Sequence, residues 1–186
     1  MGKEQDIRYQ RTREQVYQAL VSLLKEKSFD SITVKEIVDR AAISRSAFYN
    51  HFEDKYLLVE RYQVEFISKV NQIVTEVKEQ GREAMLLRVI TLLKYEDILM
   101  ALLFSHHGSV EMQRKLLAFL RQNARQNILP HLDVKFQSEQ EVRYFLAFMS
   151  NAIFGVIQEW INRGQREEPQ DLLRIVNQLI PFDFKK

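Results

Sequence analysis

The densest concentration of side chains able to do chemistry is the stretch SRSAFYNHFEDKY, Ser44 to Tyr56. Catalysis there would need His51 beside a nucleophile and an orienting carboxylate, and no Ser or Cys stands at such a spacing. Asp54 is three residues on, but across a helix boundary. Metal binding fares no better. The histidines are His51, His106, His107 and His131, and no two stand four apart on one helix face. The chain has no cysteine, which removes thiolate ligands and disulfides together. The expectation is no catalytic residue, no metal, no cofactor and no enzyme.

A surface for an anionic partner remains. Phe48 and Phe52 are four apart, so they share a helix face and build a small core with Leu20, Ile37 and Val38. Arg45, Ser46, Tyr49 and Asn50 lie on the other faces, with Arg45 and Tyr49 one turn apart and Ser46 and Asn50 likewise. An arginine fork matches guanine O6 and N7, and an asparagine amide matches adenine. His51, Lys55, Thr33 and Ser44 are candidates for phosphate oxygens, the last three because they stand at helix starts.

The elements that must position these residues carry local signals. A first helix spans about Ile7 to Lys27, with Tyr17, Leu20, Val21 and Leu24 on its buried face. Thr33 and Glu36 form a capping box, and Ile32 and Ile37 a hydrophobic staple, at the start of a second helix. Ser44 caps a third, with Ile43 and Phe48 as its staple. The turn between them is about three residues, Ala42 to Ser44, which reads as a helix-turn-helix. Asp54 and Lys55 open a long fourth helix to about Gln80, nearly 40 Å at about 1.5 Å per residue.

Beyond Gly81 the chain is more apolar. Met85–Leu93 and Ile98–Phe104 are apolar around most of the helix, so burial is expected. Ser109 caps a helix that ends near Pro130. Ser138 and Glu141 make a further capping box for a helix to about Arg163, and Pro169 opens a last helix ending near Ile180. The fold class is all-α, with about nine helices and no repeat. No apolar run approaches the roughly 20 residues that span a bilayer, and the N-terminus has no signal-peptide pattern. A cytoplasmic protein with no membrane partner is expected. The net charge is +2, and residues 1–60 hold ten Lys+Arg against ten Asp+Glu. Any positive field must therefore be local, from Arg8, Arg11, Arg13, Lys35, Arg45 and Lys55.

The order TVKEIVDRAAISRSAFYNHFEDKYLL resembles the DNA-binding motif of the tetracycline-repressor (TetR/AcrR) family of bacterial transcription regulators. Thr33, Ser44-Arg45, Phe48-Tyr49, His51-Phe52 and Lys55 carry the match over about 50 residues. The resemblance implies an N-terminal DNA-binding domain, residues 1–54. A helical ligand-binding and dimerisation domain would follow over 55–186, with the long helix as connector. Partners would be a palindromic double-stranded DNA operator, a second copy of the chain and a small-molecule effector. The family usually carries glycine near positions 28 and 42, where this chain has Ser28 and Ala42. A turn needing positive φ there would be shaped differently.

The late helices fit a dimer on their own pattern. Phe145, Met149, Ala152, Val156 and Trp160 line one side of the helix after Ser138, and Phe148, Ile153 and Ile157 lie elsewhere on it. Leu172, Ile175, Val176 and Leu179 form a stripe on the last helix. Two such helices from each of two copies would make a twofold four-helix interface. Tyr95, Phe104, His107, Phe119 and Phe148 are the candidate pocket walls. The function expected from these features is that of a ligand-responsive repressor. The alternative is a helical interaction module or co-activator without small-molecule control, suggested by the neutral head and the absent glycines.

Overall fold

A computed structural model describes residues 3–77, 80–132 and 134–179. Among them are nine α-helices and no β-strand. α1 (Lys3–Leu24), α2 (Val34–Ala41) and α3 (Arg45–Tyr49) form a head, and α4 (Lys55–Glu76) leaves it as connector. α5 (Gly81–Thr91) continues through a π-helical turn, Leu92–Glu96, into α6 (Ile98–Phe104). α7 (Val110–Asn123), α8 (Glu139–Asn162) and α9 (Pro169–Leu179) complete the body. Ile180, the expected end of the last helix, lies outside the described residues.

The head is built on α1. Val16, Leu20 and Leu24 are buried against Ile37, Val38, Phe48 and Phe52. This apolar cluster runs on without a break through Leu58, Phe66, Met100, Leu103, Phe104 and Trp160 into the body. α6 is deeply buried as its composition requires. α5 is not: Met85–Val89 are only half-buried, because the helix lies at the rim, packed on α4 and α9.

Helix starts follow their caps. Thr33 Oγ1 accepts from Glu36 N–H (3.3 Å) while Glu36 Oε2 accepts from Thr33 N–H (2.9 Å), a complete capping box. Ser44 Oγ accepts from Ala47 N–H at 3.0 Å, and Ser109 and Ser138 cap α7 and α8. The box at α8 is incomplete, since the Glu141 carboxylate reaches Gln137 N–H (2.7 Å) rather than Ser138.

The two positions without glycine behave differently. Ser28 has φ −67°, so no glycine is needed there. Ala42 sits in the left-handed region at φ 53°, ψ 43°. Around it Ile43 N–H bonds Val38 O (3.1 Å) and Ala42 N–H bonds Asp39 O (3.3 Å), the pairing of a Schellman motif. The expectation of a reshaped turn is thus corrected. The two carbonyl bonds and the burial of Val38 hold the glycine-type conformation, and the alanine methyl carries the strain.

That strain is measurable. Left-handed backbone costs an L-residue roughly 1–2 kcal/mol, part of it offset by the greater freedom of glycine in the unfolded chain. Ala42→Gly should therefore raise unfolding free energy by about 0.5–1 kcal/mol in urea titration. No gain would show that Ala42 is relaxed.

Candidate nucleic-acid interface

α3 presents four side chains outward from a base of buried Phe48. Arg45, Ser46, Tyr49 and Asn50 are exposed, Tyr49 by 55%. Among the described residues none of these side chains is held in a hydrogen bond or ion pair, although the Tyr49 ring meets the edge of Phe48. A five-residue helix could not stand alone. It is fixed by the Ser44 cap, the Ala42 turn and the two phenylalanines beneath it, whose rings lie 5.5 Å apart.

Thr33 and Ser44 are also exposed, but their hydroxyl oxygens are committed to capping. Glu36 is drawn down to about 2, first by the Lys27 ammonium and then by the Thr33 N–H.

Lys55 and His51 depart from the sequence expectation. Lys55 is only 8% exposed. Its ammonium donates to Phe29 O (2.9 Å), Asp30 O (2.9 Å) and Ile32 O (2.7 Å). It lies 4.9 Å from the centre of the Phe29 ring. All three donors are used within the protein. The α4 N-terminus is closed as well, because Asp54 Oδ1 accepts from Tyr56 and Leu57 N–H (2.8 and 2.7 Å). Lys55 is a buried clamp on the turn Phe29–Ser31, not a free phosphate cation.

His51 is 8% exposed. Tyr9 of α1 stacks on its ring at 4.1 Å and 26°. Its Nδ1 is buried without a partner, and its carbonyl accepts from Arg61 (2.7 Å). The imidazole is packed beneath Tyr9, which replaces the phosphate contact expected of it. Nothing in the spacing pointed to Tyr9 or Arg61, because both reach α3 only through the fold.

The local field is correspondingly thin. Arg13 pairs with Glu65 (2.7 Å), Arg40 with Glu26 (2.8 Å) and Lys27 with Glu36. Arg8, Arg11, Lys35 and Arg45 are the head cations of the predicted set left with neither an ion pair nor a buried carbonyl partner among the described residues.

In the body, α8 and α9 enclose an apolar groove of about 660 Å³. Met149, Ala152, Val156, Ile175 and Leu179 line it, as does Phe148, which is 60% exposed. Leu172, Val176 and Trp160 also border it but are buried, and Trp160 Nε1 donates to Glu167 O (3.1 Å). Phe145 does not join them. It packs on Phe136 at 5.0 Å, nearer the α8 start.

The five expected pocket residues do not converge. Tyr95 is exposed and its hydroxyl donates to Glu168, while Phe148 faces the groove. His107 is half-buried at the head–body joint, its Nδ1 3.1 Å from Leu24 O. Phe104 is buried edge-on to Phe66 and Phe154, and Phe119 is half-buried against the same core.

Two measurements test the reassigned residues. Lys55→Met leaves buried carbonyls unpaired and should cost about 1–3 kcal/mol of stability, with the salt slope of DNA binding unchanged. A slope lower by about one would restore the phosphate role. For His51, burial first, then Arg13 and Arg61, pull its pKa below the ordinary 6.5. The folded state thus binds the proton less readily than the unfolded chain. The stability is fully present above about pH 6.5 and is lost as pH falls through the lowered folded value. Urea titrations between pH 7 and 5 should show this loss in the parent and a flatter profile in His51→Phe, which retains the stack on Tyr9. Equal slopes would remove the assignment.

Comparison with known proteins extends these observations. Residues 16–62 match the family described as bacterial regulatory proteins, tetR family, and residues 82–181 match a transcriptional regulator C-terminal region of the same group. The uncharacterized HTH-type transcriptional regulator YxbF of Bacillus subtilis (strain 168) is 44% identical over 46 residues, 25% of this chain. That match spans only 12% of the relative's length. A TetR transcriptional regulator from Streptococcus agalactiae 2603V shares the fold with TM-score 0.67 at 19% identity, over 94% of this chain and 96% of that one. NalD of Pseudomonas aeruginosa, the secondary repressor of a multidrug efflux pump, superposes with TM-score 0.59 at 17% identity, over 91% and 96% of the two chains.

Proposed function

The chain belongs to the tetR family of bacterial regulatory proteins, and we propose that it represses transcription as a homodimer on a palindromic DNA operator. The observation that carries the reading is the set Arg45, Ser46, Tyr49 and Asn50, exposed and free of hydrogen bonds and ion pairs along α3 and its C-cap, on the side away from buried Phe48. In a helix-turn-helix such a helix enters the major groove, and two copies read half-sites about 34–36 Å apart or a multiple of it. Arg45 forks to a guanine, Asn50 takes an adenine or a backbone oxygen, and Ser44, whose oxygen caps α3 while its O–H is left to donate, lies toward phosphate; the Thr33 hydroxyl is committed to Glu36. The second copy packs on the α8–α9 groove, burying Phe148, Ile175 and Leu179.

Repression agrees with NalD, which is described as a secondary repressor. An effector would act by binding two head spacings unequally. The alternative of an interaction module loses one motive, because Ala42 retains the turn geometry without glycine.

The decisive experiment uses duplexes selected from a random library by the parent protein. Arg45→Ala should cost about 1–3 kcal/mol of binding and relax preference at one base pair per half-site. An equal loss on selected and random duplexes would reduce Arg45 to a phosphate contact. No retention of any duplex at low salt would overturn the reading.

A further inference from the structure

The turn between α5 and α6 is built on a choice between two hydrogen bonds. Asp97 N–H bonds Leu92 O five residues back (2.9 Å), which makes the turn π-helical. In regular α geometry the same N–H would bond Leu93 O, four back. Leu93 O is taken instead by Gln165 Nε2 at 3.0 Å. Gln165 belongs to the α8–α9 loop and sits in the left-handed region at φ 54°. The loop thus occupies the acceptor that the α form of the turn would need.

Both sides of this turn are tied to distant parts of the molecule. On one side Lys94 Nζ donates to Glu167 O (3.0 Å) and Glu168 Oε1 (2.9 Å), and Tyr95 donates to Glu168. Glu167 and Arg163 of that loop also line the α8–α9 groove. On the other side Asp97, its side chain 1% exposed, caps α6 through Met100 N–H (3.2 Å) and grips α4. Tyr62 Oη donates to it at 2.5 Å and Lys69 Nζ at 3.1 Å. Tyr62 in turn meets Tyr17 of α1 edge-on at 4.6 Å.

Converting the π turn to α would remove one residue's worth of slack. With 3.6 residues per turn, Asp97 would swing by about 100° relative to α5. It could not then keep both Tyr62 and Lys69. Single π turns inside helices are frequent at functional sites, and packed elements switch between discrete arrangements rather than deform smoothly.

We propose that the π turn Leu92–Glu96 is a two-state coupler between the α8–α9 groove and the connector α4. A partner seated in the groove holds the loop, Gln165 holds Leu93 O, and Asp97 then holds α4 and the head at one angle. This rests on the dimer reading above.

The chain has no cysteine, so Asp39→Cys, exposed on α2, takes a single nitroxide per subunit. Sedimentation gives the oligomer, and pulsed electron resonance gives the distance between heads. Gln165→Met and Tyr62→Phe should each leave a dimer but shift or broaden the head–head distance by several ångströms. The double variant should go no further than the larger single one, because both cut the same chain. Dimers with the parent's distance distribution, or additive changes, would overturn the coupler and leave the dimer standing. A monomeric parent would overturn both. Should Tyr62→Phe fail to fold, as seen by circular dichroism, the half-exposed Gln165→Met decides alone.

Discussion

The arrangement of the head depends on one buried ammonium. Burying a charge is costly unless every donor finds a partner, and Lys55 meets that condition with three carbonyls of one short turn. The turn closes α1 onto α2, and Lys55 is the first residue of α4. The reading helix is strung between these two points. The same turn is held from the body, where Phe29 N–H donates to His107 O (2.7 Å). Gly108 follows, packed so closely that a Cβ would lie 1.8 Å from Leu103 O. The head angle is therefore set jointly by a lysine of the connector and a backbone bond from the α6–α7 loop.

A second buried charge plays the matching part further along α4. Asp97 is neutralised by Lys69 and hydrogen-bonded by Tyr62, whose phenol is pushed well above its usual range by burial and then by that carboxylate. Tyr17 stands beside it with its hydroxyl buried and unpaired, and burial pushes it up to about 12. Two anchors at different heights on one helix fix its tilt, where either alone would leave a pivot. This is why groups so far from α3 bear on where α3 points.

Local physics was legible in the chain. Thr33, Ser44, Ser109, Ser138 and Pro169 announce helix starts because a cap bonds within three residues of itself. The staple residues Ile32 and Ile37, and the pair Phe48 and Phe52, are buried for the same short-range reason. What the chain could not reveal is the partner of a long polar side chain. A lysine at a helix start reads equally as a surface cation or an internal clamp, and only the position of the Phe29–Ser31 turn decides. His51 depended on Tyr9, forty-two residues earlier in the chain. Asp97 caps α6 and grips α4, and that grip needs the π turn, which no residue pattern marks. Phe145 fell outside the groove because helical spacing identifies a face but not where along the helix a neighbour ends.

The neutral composition of the head follows from this division of labour. Lys55, Lys27, Arg40 and Arg13 are spent on holding the scaffold, each against a carbonyl or carboxylate. With four of its ten cations so held and ten acidic residues set against the ten, the head carries no net positive charge, so sequence-independent attraction to DNA should be weak. Discrimination then has to come from base edges, which demands a reading helix held in a fixed orientation. One head offers too small a contact for tight binding. In the proposed dimer, two heads joined through the α8–α9 groove would turn the second contact into an intramolecular one, at a gain set by how well their spacing matches the half-sites. A head with little charge of its own is for that reason unusually sensitive to the angle of α4.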